Sequence, residues 1–193
     1  MKLTKNARLE LTVESFGAEG EGVCRYEGMA VFVPRALPGE RIIAQITRVE
    51  KRYAFARAME ILSASPDRVT PACPYARQCG GCQIQAMEYE EQLRFKERKV
   101  LNHLMRIGGF SREEIPMLPI MGMEHPWLYR NKAQFPFGKD KNGRIITGFY
   151  AGRTHTIVEQ EDCLLGAEVN RDILRVIKNY MEEFHIEPYD EEN

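Results

Sequence analysis

The residues best equipped for chemistry are Cys73, Cys79 and Cys82, set in the run Cys73-Pro74-Tyr75-Ala76-Arg77-Gln78-Cys79-Gly80-Gly81-Cys82. A Cys-x-x-Cys pair lets two thiolates of one tight turn reach a shared metal, and glycines between them relieve crowding where the backbone bends toward sulfur. Three thiolates are one short of the usual four. Cys163, 81 positions beyond Cys82 and just after a strand-like run at 156–158, is the candidate for the fourth. Zinc commonly takes two closely spaced Cys pairs, whereas iron–sulfur clusters often take three neighbouring cysteines and one distant one. The three-plus-one pattern favours a [4Fe–4S] cluster. Zinc, and thiols without any cofactor, are the competing readings. Cys24 has no cysteine neighbour, lies in a strand-like run and reads as a small buried residue.

A second constellation joins cations to rings. Arg48, Lys51, Arg52, Tyr53, Phe55 and Arg57 crowd one short stretch. Cations can meet phosphates while bases stack on rings, which suits single-stranded nucleic acid. The plainer alternative makes Tyr53 and Phe55 core residues and the cations a solvated face. Further on, Arg130, Lys132 and Gln134 alternate with Tyr129, Asn131, Ala133 and Phe135. On a strand the first three would share a face able to touch phosphates and base edges; a solvated polar face is the alternative. The four histidines, at 103, 125, 155 and 185, have neither metal nor triad spacing. No glycine-rich dinucleotide or phosphate loop is present.

These groups need elements to hold them. Residues 9–16 alternate Leu9, Leu11 and Val13 with polar neighbours, as a half-buried strand does. Gly22–Tyr26 and Met29–Val33 flank a Glu27-Gly28 turn, Pro38-Gly39-Glu40 is another turn, and Arg41–Val49 and 53–62 complete five strands. Five short strands in so little chain suggest a small closed or nearly closed barrel of the oligonucleotide-binding type. Ser65-Pro66 and Pro71 mark a linker. A helix is predicted over 84–107, with Leu93, Val100, Leu104 and Ile107 as its apolar stripe and Gly108-Gly109 at its end. Ser111-Arg112-Glu113-Glu114 has the capping-box pattern. Antiparallel strands are predicted through 127–163, with Asn142-Gly143 at the hairpin turn and Pro136 at an edge or bulge. A last helix is predicted over 167–184, with Val169, Ile173, Ile177, Met181 and Phe184 on its apolar side. The fold class is therefore α+β and mainly β. Its parts are a small barrel of the oligonucleotide-binding type at 1–62, a linker with the cysteine motif and a helix at 63–110, and a central antiparallel domain with a terminal helix at 111–193.

Composition bounds the rest. At 193 residues, 44% hydrophobic and 28% charged, the chain can bury a core and stay soluble. No apolar run is long enough for a transmembrane helix, and the N-terminus lacks a signal peptide's apolar stretch. Five cysteines without an export signal point to the cytoplasm. Residues 1–160 hold 24 Lys and Arg against 18 Asp and Glu, a net +6, whereas residues 161–193 hold 3 against 10, a net −7. The first part can approach a phosphate backbone and the acidic end should face away from it.

The chain resembles the N-terminal portion of the bacterial RNA (uracil-5-)-methyltransferases, specifically the iron–sulfur 23S rRNA enzymes. Phe32-Val33-Pro34 and Leu37-Pro38-Gly39-Glu40 resemble a TRAM domain. Cys73-Pro74 with Cys79-Gly80-Gly81-Cys82-Gln83, followed by Gln85, Tyr89, Gln92 and Lys96, resembles the cluster motif. Tyr129-Arg130-Asn131-Lys132 resembles the first strand of the central domain, and Gly148-Phe149-Tyr150, His155, Ile157-Val158 and Cys163 the segment bearing the fourth ligand. The resemblance implies a [4Fe–4S] cluster that is structural and RNA-positioning, held by Cys73, Cys79, Cys82 and Cys163. It implies 23S rRNA as partner, contacted by Arg130, Lys132, Gln134, Lys51, Arg52 and Tyr53. It also implies S-adenosylmethionine in a C-terminal Rossmann-like domain, where a cysteine adds to uracil carbon 6 and a glutamate removes the carbon 5 proton. That domain and the catalytic residues are expected to lie outside these 193 residues, so the chain alone should be inactive. A monomer is expected.

Overall fold

The computed structural model describes residues 3–152 and 154–189. Five strands come first: β1 (Arg8–Phe16), β2 (Gly22–Tyr26), β3 (Met29–Val33), β4 (Arg41–Val49) and β5 (Tyr53–Ser63). They close into a barrel in the order β1-β2-β3-β5-β4. Alternation drives the closure. Leu11, Val13, Cys24, Val31, Val33, Ile42, Ala44, Ile46, Ala54 and Ala56 all point inward and are buried, and each fully buried Val or Ile contributes about 1.5–3 kcal/mol. β4 and β5 pair with three register irregularities, which bend the long strands. The last seam is a parallel pairing of β3 with β5, Ala30 opposite Tyr53 and Phe32 opposite Phe55.

Beyond the barrel, α1 spans Tyr89–Arg106. It begins later than the 84–107 reading. Residues 83–86 form bends and turns, Met87 bridges to Arg68, and the Glu88 carboxylate caps the helix by accepting from the Glu90 amide at 2.6 Å and the Glu91 amide. Its anchor is Phe95, which meets Phe16 edge-on at 4.9 Å and packs with Leu37, Met87 and Ile84. The expected stripe is not the buried one: Val100 and Ile107 are exposed, Ile107 by 80%. The capping box at Ser111 opens a short 3-10 turn, Arg112–Glu114.

The remaining elements are β6 (Phe137–Lys139), β7 (Ile145–Tyr150), β8 (Ile157–Glu159) and α2 (Val169–Glu183), with the strands in one antiparallel sheet of order β6-β7-β8. The β6–β7 turn is the Asn142-Gly143 turn. Gly143 has φ +80°, and the Asp140 carboxylate accepts from the Asn142 and Arg144 amides, both at 2.9 Å. The strand expected over 127–136 does not form. Only an isolated bridge joins Arg130 to Gly166, because Pro126 and Pro136 bracket the segment and Leu128 has φ +56°. No helix among the described residues is long and apolar enough to cross a membrane.

Contacts group the chain into two compact units, neither continuous. One joins the barrel and the chain up to Pro71 with Gln83–Met121. The other joins Ala72–Cys82 with the chain from Gly122 onward. The division thus crosses the stretch read as one linker–cysteine–helix segment: the cysteine loop goes with the sheet, and α1 with the barrel.

Candidate nucleic-acid interface and thiol cluster

On β5 the alternation separates two functions. Ala54 and Ala56 line the barrel interior, so Tyr53, Phe55 and Arg57 point outward. Tyr53 and Phe55 are therefore not core residues. Phe32, between the inward Val31 and Val33, joins them from β3. The three rings form a closed trio with centroids 5.5–5.9 Å apart, two of the three pairs edge-on. Arg48 lies over Phe55 at 5.8 Å and is ion-paired with Glu50. Lys51 and Arg52 occupy the β4–β5 turn, both exposed, beside Tyr53. The barrel thus presents rings able to stack bases and cations able to meet phosphates on one outer surface. Phe32 escaped the reading of this patch. Its signal was its place between two inward valines, but only the β3–β5 seam puts it against Phe55.

In the second unit, the cysteine loop is built by tight turns. The amide of Ala76 donates to Cys73 O at 3.2 Å and that of Cys79 to Tyr75 O at 2.8 Å. The loop then docks on the end of β7: the Gly80 amide donates to Tyr150 O at 2.9 Å, and Cys79 bridges to Ala151. A side chain at Gly80 would place its Cβ 2.9 Å from Gly152 Cα and 3.0 Å from Tyr150 O. Crowding at Gly80 thus comes from backbone. Gly81 is the glycine that faces sulfur, its amide 3.3 Å from the Cys79 thiol.

Cys163 follows β8. The amides of Leu128 and Arg130 donate to Leu164 O and Leu165 O at 2.9 and 2.7 Å, and the Gly166 amide turns back to Cys163 O at 2.8 Å. All four candidate cysteines fall in this one unit. Two of them respond to their surroundings: burial first pushes the Cys82 thiol up, and Cys79, Cys163 and Cys73 add to the effect, while the Arg130 guanidinium opposes it. Burial also raises Cys73, with Cys163 and Cys79 adding and the Tyr75 amide opposing. None of the five cysteines is in a disulfide. Cys24 stands apart inside the barrel, where burial, then Glu14, pushes it up to about 11. Among the described residues no group of three or more His, Cys, Asp or Glu donors is drawn in tightly enough to hold one metal ion. The fit to an iron–sulfur group therefore rests on donor type and grouping, not on a formed cage.

Arg130, Lys132 and Gln134 do not share a strand face, since no ladder forms there. Arg130 is half-buried, its backbone clamped to the Cys163 turn and its charge felt at Cys82. Lys132 and Gln134 are exposed on irregular chain.

Residues 2–59 match the TRAM domain, so the barrel with its outward rings is one. Over nearly its whole length the chain is also similar to RNA methyltransferases. It is 43% identical to an uncharacterized RNA methyltransferase of Halalkalibacterium halodurans, covering 98% of this chain and 41% of that protein. It is 38% identical to one of Clostridium tetani, covering 97% and 40%. Among solved structures it is similar to the tRNA (uracil-54, C5)-methyltransferase of Pyrococcus abyssi, determined with S-adenosyl-L-homocysteine, at TM-score 0.62 and 26% identity over 93% of this chain and 38% of that one. The chain spans about two fifths of the length of these relatives.

Proposed function

We propose that the chain is the RNA-recognition part of an S-adenosylmethionine-dependent RNA (uracil-5-)-methyltransferase acting on 23S rRNA in the cytoplasm. What carries the reading is the extent of the likeness. It runs through the TRAM barrel, the cysteine loop and the sheet alike, and the Pyrococcus neighbour methylates a uracil carbon 5. S-adenosylmethionine supplies the methyl group and is held outside these residues. Lys51, Arg52 and Tyr53 grip unpaired RNA from the barrel, and Arg130, Lys132 and Gln134 add contacts from the second unit. Unpaired RNA suits the stacking rings, because base edges and faces are open there. The chain by itself transfers no methyl group and is a monomer.

In this proposal Cys73, Cys79, Cys82 and Cys163 hold a [4Fe–4S] cluster that ties the cysteine loop to the chain after β8. Purification without oxygen, followed by iron, sulfide and zinc analysis, tests it. About four irons and four sulfides per chain are expected; one zinc per chain would refute the cluster. Filter binding to 23S rRNA fragments and to tRNA tests the substrate. Tighter binding to tRNA would transfer the proposal to the substrate named for the Pyrococcus neighbour. A stand-alone RNA-binding iron–sulfur module is the second reading. It predicts RNA binding and a cluster with no methyltransferase polypeptide able to join the chain.

A further inference from the structure

α1 carries two sets of cations, and only one of them is satisfied within the protein. Arg94 and Arg98 converge on Glu91, and Arg94 also reaches Asp67. Lys96, Lys99, His103 and Arg106 meet no carboxylate among the described residues. These four follow one another at steps of three, four and three residues. They therefore stand in one row along the helix, about 15 Å from first to last. Lys96, His103 and Arg106 are exposed and Lys99 is half-buried. Phe95, anchored against Phe16, Leu37 and Met87, sets the roll of α1 on the barrel and leaves the row in solvent.

Helix physics alone disfavours this row. Residues three and four apart touch on a helix, and like charges there are destabilising. Lys96 and Lys99 are such a pair, and Lys99 and Arg106 flank His103 at the same distances. No carboxylate stands three or four residues from any of the four. The helix dipole favours cations in the last turn, where His103 and Arg106 stand. Lys96 and Lys99 lie earlier and gain nothing from it. A ligand that brings negative charge along the whole row removes the repulsion.

A row of cations matches an anion whose charges repeat along its length, as phosphates do in a nucleic-acid backbone. The row holds no phenyl, phenol or indole ring on which bases could stack, so its contact is with backbone and carries no sequence information. The same compact unit holds Phe32, Tyr53 and Phe55 with Lys51 and Arg52. Strand direction puts the two sets at opposite ends of the barrel. α1 anchors where β1 finishes and β4 starts, whereas Lys51 and Arg52 turn the chain where β4 finishes and β5 starts.

We propose that Lys96, Lys99, His103 and Arg106 form a second RNA contact, which grips phosphates of the unpaired strand beyond the nucleotides stacked on the barrel's rings. This inference rests on the reading of the chain as an RNA-recognition part. The rings hold bases at one end of the barrel, the α1 row holds backbone at the other, and the strand runs between them.

Filter binding of the 193-residue chain to oligouridylate and to oligoadenylate across a salt series tests it. In Lys96→Gln/Lys99→Gln/Arg106→Gln the slope of log affinity against log salt should fall by about 2, at about 0.7 per single-strand phosphate, and equally for both sequences. The exposed single variant Lys96→Gln should show about a third of that fall. Arg25→Gln/Arg41→Gln/Arg175→Gln removes the same charge from cations paired with Glu14, Glu10 and Asp172 and should keep the parent's slope. Lys96→Arg/Lys99→Arg should bind as the parent does. Gln is nearly as good a helix former as Lys, so circular dichroism should not change. An unchanged slope in the α1 variants, an equal fall in the paired-cation variant, or a fall for one sequence only would each overturn the inference. So would polyglutamate binding as tight as RNA binding and lost in the same variant, which would assign the row to an acidic protein segment. A parent that binds RNA while the α1 variants keep its slope removes this inference alone; a parent that binds no RNA removes the RNA reading as well.

Discussion

Arg68 closes on Glu40 with two guanidinium nitrogens, locking the chain that leaves the barrel onto the turn before β4. Glu40 is fully buried, and its carboxylate also accepts from the Leu37 amide at 2.9 Å and the Ser65 amide at 3.3 Å. The second guanidinium arm donates to Arg35 O at 2.7 Å. A buried carboxylate so fully satisfied is tolerated only while its cation stays.

Arg68→Ala should therefore cost about 3 kcal/mol, because it strands the Glu40 charge in the interior. Arg68→Lys should recover only part of this, since an ammonium cannot supply the fork. Hydrogen exchange at the buried β4 amides reads the loss. Unchanged protection in Arg68→Ala would show that the pair is dispensable.

The two glycines of the cysteine motif should behave differently. Gly80→Ala forces a Cβ against the backbone of Gly152 and Tyr150 and should cost about 1–3 kcal/mol, as overpacking does. Gly81→Ala meets only the Cys79 sulfur at an ordinary 3.4 Å and should be tolerated. Trp127 is the only tryptophan and lies in this unit, so its fluorescence follows the unfolding directly. Equal losses in the two variants would contradict the docked loop.

Rings and cations on the barrel should separate in their salt dependence. Phe55→Ala or Tyr53→Ala should weaken single-stranded RNA binding by about 1–3 kcal/mol with little change in salt slope, since stacking releases no counterions. Lys51→Ala should lower the slope of log affinity against log salt by about 1. Filter binding across a salt series distinguishes them. Ring variants that bind as tightly as the parent would assign the trio to packing alone.

Alkali should loosen the barrel through Cys24. Its folded value is raised to about 11 from an ordinary 9.0 by burial, so the stability it lends is complete below pH 9 and is lost as pH climbs through 11. About 2–3 kcal/mol is at stake, two units at 1.36 kcal/mol each as an upper bound. Cys24→Ala should show a shallower decline between pH 9 and 11 in circular dichroism melts. Parallel declines in the two proteins would place the alkaline sensitivity elsewhere.

Much of the barrel was legible because strand alternation is local: β2, β3 and β4 begin and end where turn residues and inward valines and isoleucines put them. The segment around Arg130 was misread for the opposite reason. Its residues alternate well, but two prolines and a left-handed Leu128 deny it a ladder, and its backbone pairs with the turn after Cys163. α2 was placed within two residues, and of the apolar side read for it Val169, Ile173, Ile177 and Phe184 are exposed. Hydrophobic periodicity tells which face of a helix avoids water, and is silent on what covers it.

By itself the sequence determined the donors and the local elements: four thiols in a three-plus-one spacing, five short strands, and a run of cations beside rings. Residue type and short-range sterics suffice for these. Only the tertiary structure decided that Tyr53, Phe55 and Phe32 turn outward together, that the cysteine loop joins the unit holding Cys163, and that the apolar stripe of α2 faces away from its own sheet. Each of these depends on which distant segments meet. Barrel closure and loop docking set that through long-range packing, which no local window of residues contains.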